Sequence, residues 1–172
     1  TDFIRRADFA EAGQALAALA RANCQGSVEV QKMIVPPGGT LANASPAPSG
    51  WQFSASTTAA DTSIVAPETA STTVGGDGRV RFGLAFTNSA TSGAVQIQGT
   101  QQAGYQVVPI GSGTDARNAR CVNAETNTPI PVTNAGTASH PGFSVMGTSE
   151  VQVSCQIFNT RTPLLVPGLE LD

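Results

Sequence analysis

Two polar residues stand where the pattern calls for apolar ones. From Ser27 onwards, Val28, Val30, Lys32 and Ile34 share one side, and Glu29, Gln31 and Met33 share the other. Over residues 151–159, Val151, Val153, Cys155, Ile157 and Asn159 form one row, with Gln152, Ser154 and Gln156 opposite. Period-two alternation of this length predicts half-buried β-strands, so Lys32 and Asn159 both fall in core-facing rows. Burial disfavours an ammonium, lowers its pKa and leaves a nucleophilic amine. Set against a carboxamide, that amine can attack the carbonyl carbon and expel ammonia, joining the two side chains through an amide. The step needs a carboxylic acid nearby to polarise the carbonyl and move protons. The plainer reading has Lys32 snorkelling to a sheet end and Asn159 capping a turn.

Cysteine is the second candidate chemistry. Cys24, Cys121 and Cys155 make an odd count, and no two have the spacing of a redox or zinc motif. Cys155 lies on the inward side of its strand and Cys121 opens a short candidate strand. A Cys121–Cys155 disulfide is the favoured pairing, worth roughly 3–4 kcal/mol on the loop-entropy model. Two buried free thiols, the commoner state in a reducing cytosol, are the alternative. Composition favours the oxidising, extracellular setting: only 12% of residues are charged, and Thr, Ser, Ala, Gly and Asn take the polar positions.

Other function classes find little support. With a net charge of -3 and no Lys/Arg run, nucleic-acid binding has no electrostatic footprint. His140 is the only histidine and sits beside Pro141 in a polar loop; the carboxylates form no acid/base motif. Gly75-Gly76-Asp77-Gly78 lacks the Lys-Ser/Thr of a phosphate loop. Asp77, Asp115 and Glu125 are too scattered for a calcium loop. The expectation is a non-enzyme without metal or cofactor. A carbohydrate- or protein-binding module is the rival reading, because sandwich loops often carry contacts. Trp51 and Tyr105, if exposed, are the aromatics that would face a ligand, although Trp51 alternates in step with Phe53 as a core residue does.

The elements that must position these groups are short. Residues 1–24 hold a capping-box spacing, Asp8 and Glu11, and a stripe of Phe9, Ala12, Leu16 and Leu19, which predicts one amphipathic helix. From residue 25 to 162 the pattern is that of strands punctuated by Gly and Pro. Val80, Phe82, Leu84 and Phe86 form the clearest run, Val95, Ile97 and Gly99 another. Pro129-Ile130-Pro131-Val132 reads as an edge, and Asn134-Ala135-Gly136 as a turn. Strands so spaced, without helices between them, predict an all-β antiparallel β-sandwich preceded by one N-terminal α-helix. Residues 163–172 read as a linker to a following module. No apolar stretch is long enough to cross a bilayer, and an exported protein would carry its signal outside this stretch.

Five pieces together resemble a family: Val28-Glu29-Val30-Gln31-Lys32, Gly50-Trp51-Gln52-Phe53, Gly78-Arg79-Val80-Arg81-Phe82, Gly104-Tyr105 and Cys155-Gln156-Ile157-Phe158-Asn159. Their order is similar to that of the SpaA-type (Cna-B-like, prealbumin-like) domains of Gram-positive pilins and surface adhesins. The resemblance implies a stalk or adhesin-support module at the cell surface. Its partners would be neighbouring domains and a host or cell-surface protein or glycan. It also implies an isopeptide cross-link between a first-strand Lys and a last-strand Asn, positions matched by Lys32 and Asn159. The family's catalytic acid is usually a Glu shortly before the Gly-Tyr pair. Here Gly99 stands in that place, which leaves Asp61 or Glu68 as the acids that would have to approach from elsewhere. Ala-Leu-Ala-Arg-Ala-Asn-Cys, ending at Cys24, resembles the junction where a von Willebrand factor A domain passes into such a β-domain.

Overall fold

The computed structural model describes residues 26–162 and, before them, Gly13 alone. The expected helix over residues 1–24, with Cys24, and the linker over 163–172 lie outside the described residues. Thirteen strands follow in order: β1 (Ser27–Val35), β2 (Ser45–Pro46), β3 (Gln52–Thr57), β4 (Thr62–Val65), β5 (Thr69–Ser71), β6 (Arg79–Phe86), β7 (Ser92–Gly99), β8 (Tyr105–Val107), β9 (Ala119–Asn123), β10 (Pro129–Ile130), β11 (Val132–Gly136), β12 (Pro141–Thr148) and β13 (Gln152–Arg161). They form two sheets. One runs β10-β9-β13-β1-β6-β4, with β2 beside β1 and β8 beside β13; the other runs β11-β12-β7-β3-β5.

The alternation explains the layering. Val28, Val30, Phe82, Leu84, Val153 and Cys155 face inward from the first sheet and meet Phe53, Ile97, Phe143 and Val145 from the second. The residues between them point outward, which is how an antiparallel sheet keeps one wet face. The β-sandwich architecture thus follows from the pattern read in the sequence.

One expectation about direction is corrected. Among the described strands every pairing is antiparallel except β1 with β13, which run parallel from Ser27 opposite Gln152 to Val35 opposite Thr160. Tight turns force an antiparallel direction only on strands that they connect. β1 and β13 are separated by all the rest of the domain, so no turn dictates their direction.

Two local expectations also change. Asn134-Ala135-Gly136 is not a turn but the end of edge strand β11; the reversal comes just after, where Thr137 and His140 exchange backbone hydrogen bonds. The Asn134 side chain is taken up by Asn118 N–H and the Ala116 carbonyl, so its turn chemistry serves a neighbouring loop. Phe158, on the outward side of β13, is 1% exposed because the Arg120 guanidinium lies 5.2 Å from its ring centre. Pro131 does mark an edge: it separates β10, at the rim of one sheet, from β11, at the rim of the other.

Cys121 and Cys155 stand directly opposite each other in β9 and β13 and are disulfide-bonded, with 4.1 Å between their Cα atoms and 34 residues between them. The bridge ties one of the two middle strands to its neighbour. Replacing both cysteines with alanine is expected to lower the unfolding free energy by about 3 kcal/mol, measured by urea denaturation. An unchanged midpoint would show that the bridge does not restrain the unfolded chain.

Candidate functional site

β1 changes partner at Lys32. Up to Gln31 it pairs with β6, and from Met33 it pairs with β2. In the gap, the Lys32 N–H donates to the Gly78 carbonyl and the Lys32 carbonyl accepts from Ala47 N–H, each at 2.8 Å. Gly78 has φ +67, and a Cβ there would lie 2.6 Å from the Lys32 carbonyl oxygen and 2.9 Å from Ala47 N. Only glycine lets the three backbones meet. The Lys32 main chain is thereby fixed, and its side chain is directed into the core.

Asn159 sits on β13 between β1 and β8, opposite Ile34 on one side and Val107 on the other. Lys32 is opposite Ile157, so Asn159 is the next inward position along the parallel pair. The lysine side chain spans that diagonal, and its Nζ donates to Asn159 Oδ1 at 2.7 Å. Lys32 is 3% exposed and Asn159 is fully buried. The sequence-predicted partners are therefore in contact, in a dry setting.

The orientation of the carboxamide is set by a chain of hydrogen bonds. Gln101 Nε2 donates to the Tyr105 carbonyl at 2.6 Å and reaches the Gln102 carbonyl at 3.4 Å. Two carbonyls on that side fix which end of the Gln101 amide is nitrogen. Gln101 Oε1 is left to accept from Asn159 Nδ2 at 3.3 Å, and Asn159 Oδ1 is left for Lys32. Gln101 is the residue that sequence reading missed. It lies in a polar loop outside any alternating run, and its only mark is a place shortly before Gly104-Tyr105.

Aromatic rings surround the amine. Lys32 Nζ lies 4.5 Å from the centre of the Trp51 ring and 5.9 Å from that of Phe53, and Tyr105 meets Trp51 edge-on at 5.1 Å. Trp51 is 1% exposed, which corrects its expected role as a ligand-facing aromatic: its face is occupied by the lysine. Tyr105 is half-buried against it, and its hydroxyl accepts from Arg161 Nε.

Burial pushes the Lys32 pKa down from 10.5 to about 7. Desolvation is the cause, and no carboxylate opposes it: the ion pairs among the described residues are Arg79–Glu29 and Arg117–Asp115. Asp61 accepts from Asn88 Nδ2, and Glu68 is exposed. Gly99 lies opposite Phe53 in the β3–β7 pair, and a Cβ there would be 2.9 Å from the Phe53 ring. A side chain at residue 99 would have to displace that ring. The position where the resemblance expects an acid is thus filled by an aromatic from the next strand.

His140 is exposed on the turn after β11, with Ser139 Oγ near its Nδ1. Among the described residues, no group of three or more His, Cys, Asp or Glu side chains is placed to hold a metal, and no helix is long and apolar enough to cross a membrane. The chain matches no family model, no curated protein and no solved structure.

The lysine makes stability depend on pH. Its folded pKa is about 7 and its ordinary value is 10.5, so between these the unfolded chain binds more protons. Unfolding free energy then rises with pH across that window. In urea titrations, the stability of the native chain relative to Lys32→Met is expected to increase from pH 7 to pH 10.5. A difference that stays flat would mean that the amine remains charged in the folded protein.

Proposed function

We propose that the chain is a load-bearing spacer domain of a cell-surface protein, a stalk module of the kind found in surface adhesins and pilins. The parallel pairing of β1 with β13 carries this reading. The β-domain is entered at Ser27 and left at Arg161, and in a parallel pair those points lie at opposite ends of the ladder. Nine paired positions at about 3.3 Å each put them roughly 30 Å apart. Tension applied between the two ends would load the whole ladder in shear, so its hydrogen bonds must fail together. A hairpin pulled from its open end would lose them one at a time.

Three further observations support the reading. Lys32 and Asn159 contact each other across the sheared pair. The disulfide fastens β13 to β9 on its other side. The low charge and Ser/Thr-rich composition suit an exposed extracellular surface rather than a catalytic or nucleic-acid-binding one. Burial of Trp51 removes one of the two aromatics on which a glycan would stack, which weighs against the binding-module reading. On this proposal the domain has the prealbumin-like topology of SpaA-type modules, and its partners are the domains before and after it.

Single-molecule pulling tests the spacer reading. Handles placed just before Ser27 and just after Arg161 are expected to give a clearly higher unfolding force than handles at residues 26 and 88. The second pair would unzip β6 from β1, because Ser27 lies opposite Gly83 near the end of β6. Equal forces in the two geometries would contradict a load-bearing role.

A further inference from the structure

We propose that Gln101 holds the Lys32–Asn159 contact as a hydrogen bond, so that the tie between the terminal strands is reversible, and that a carboxylic acid at this one position turns it into a covalent amide. The inference rests on reading the pair as the tie of the spacer domain.

The reaction itself is balanced within the pair. Neutral Nζ attacks Asn159 Cγ, the Nζ–Cγ bond forms and the Cγ–Nδ2 bond breaks. One amine hydrogen stays in the new amide, and the other leaves with Nδ2 as ammonia. No oxidant or co-reactant is needed. Reactant geometry is also in place: Nζ is hydrogen-bonded to the carbonyl that it would attack, and burial lowers the amine's proton affinity.

What the site lacks is a proton for the leaving nitrogen. Asn159 Nδ2 is already a donor, and the atom facing it is Gln101 Oε1, which carries no hydrogen. The hydrogens of Gln101 are on Nε2, directed at the carbonyls of Tyr105 and Gln102, and an amide N–H is too weak an acid to release one. Residue 99 cannot supply the acid without displacing the Phe53 ring. Gln101 is therefore the described side chain beside the leaving group whose identity decides the outcome.

Gln101→Glu is nearly isosteric and puts a carboxyl in the same place. The Tyr105 carbonyl, 2.6 Å from Nε2 in the native chain, would demand a donor from that carboxyl. A hydrogen bond made by the neutral form favours the protonated acid, which is the form that the reaction requires.

Intact mass under non-reducing conditions, followed by peptide mapping, tests the proposal. The native chain is expected to show no loss of ammonia. Gln101→Glu is expected to lose one ammonia in most molecules, with Lys32 and Asn159 recovered in one cross-linked peptide. Gln101→Glu combined with Lys32→Ala is expected to lose none. An ammonia-free native chain with a Lys32–Asn159 link would overturn the proposal. So would a Gln101→Glu protein that keeps the disulfide and a cooperative melt yet shows no link. Should that variant not fold, Gln101→Asp makes the same comparison with a shorter acid: a partial link supports the proposal and none counts against it. The mass readout is independent of the pulling experiment, so failure of either idea can be told from failure of the other.

Discussion

A single amine taken out of water governs the middle of this sandwich. Burying the Lys32 ammonium without compensation is among the costlier substitutions that a core can carry. The surroundings meet that cost in three ways. Asn159 Oδ1 accepts from Nζ, the Trp51 ring lies over it, and loss of the proton becomes easier near neutral pH. Each of these calls on another part of the structure. Asn159 must be turned by Gln101, Trp51 must be braced by Tyr105, and the lysine backbone must be held by Gly78 and Ala47. The amine thereby links β1, β3, β13 and the loop before β8.

The same contact bears on how the domain transmits force. β1 and β13 occupy the middle of their sheet and are flanked by strands that each cover only part of their length: β6 and β2 beside β1, β9 and β8 beside β13. The parallel ladder between them is the longest continuous pairing available to resist separation of the two ends. The disulfide and the lysine–asparagine pair sit at different heights along β13, at Cys155 and Asn159. One is a permanent bond within a hairpin-like neighbourhood. The other spans the full separation of the domain in sequence. A reversible tie at the second place lets the ladder re-form after it has been pulled apart, which a spacer under fluctuating load can use.

Much of this was legible from residue order. Period-two alternation assigned Lys32 and Asn159 to inward rows because a strand sends every second residue to the same side, and the same rule placed Cys155 beside the core. Gly78 was recognisable as part of a turn, although not as the close approach that pins Lys32. What escaped sequence reading was of another kind. The parallel direction of β1 and β13 depends on a pairing made across the whole domain, which no local signal encodes. Phe158 is covered by Arg120 from a neighbouring strand, so its burial breaks the in-out rule. Gln101 acts from a loop, where spacing carries no information about which carbonyl a side chain will meet. The space at Gly99 is likewise closed by Phe53, a residue distant in sequence.

The central claim is that Lys32 and Asn159 stabilise the domain through each other. A double-mutant cycle with Lys32→Met and Asn159→Leu isolates that mutual term. Each single variant leaves one polar group buried without its partner, at a cost of about 1–3 kcal/mol, whereas the double variant removes both. The account predicts that the double variant is less destabilised than the sum of the singles, by at least about 1 kcal/mol. Additive losses, with no coupling between the two positions, would contradict it.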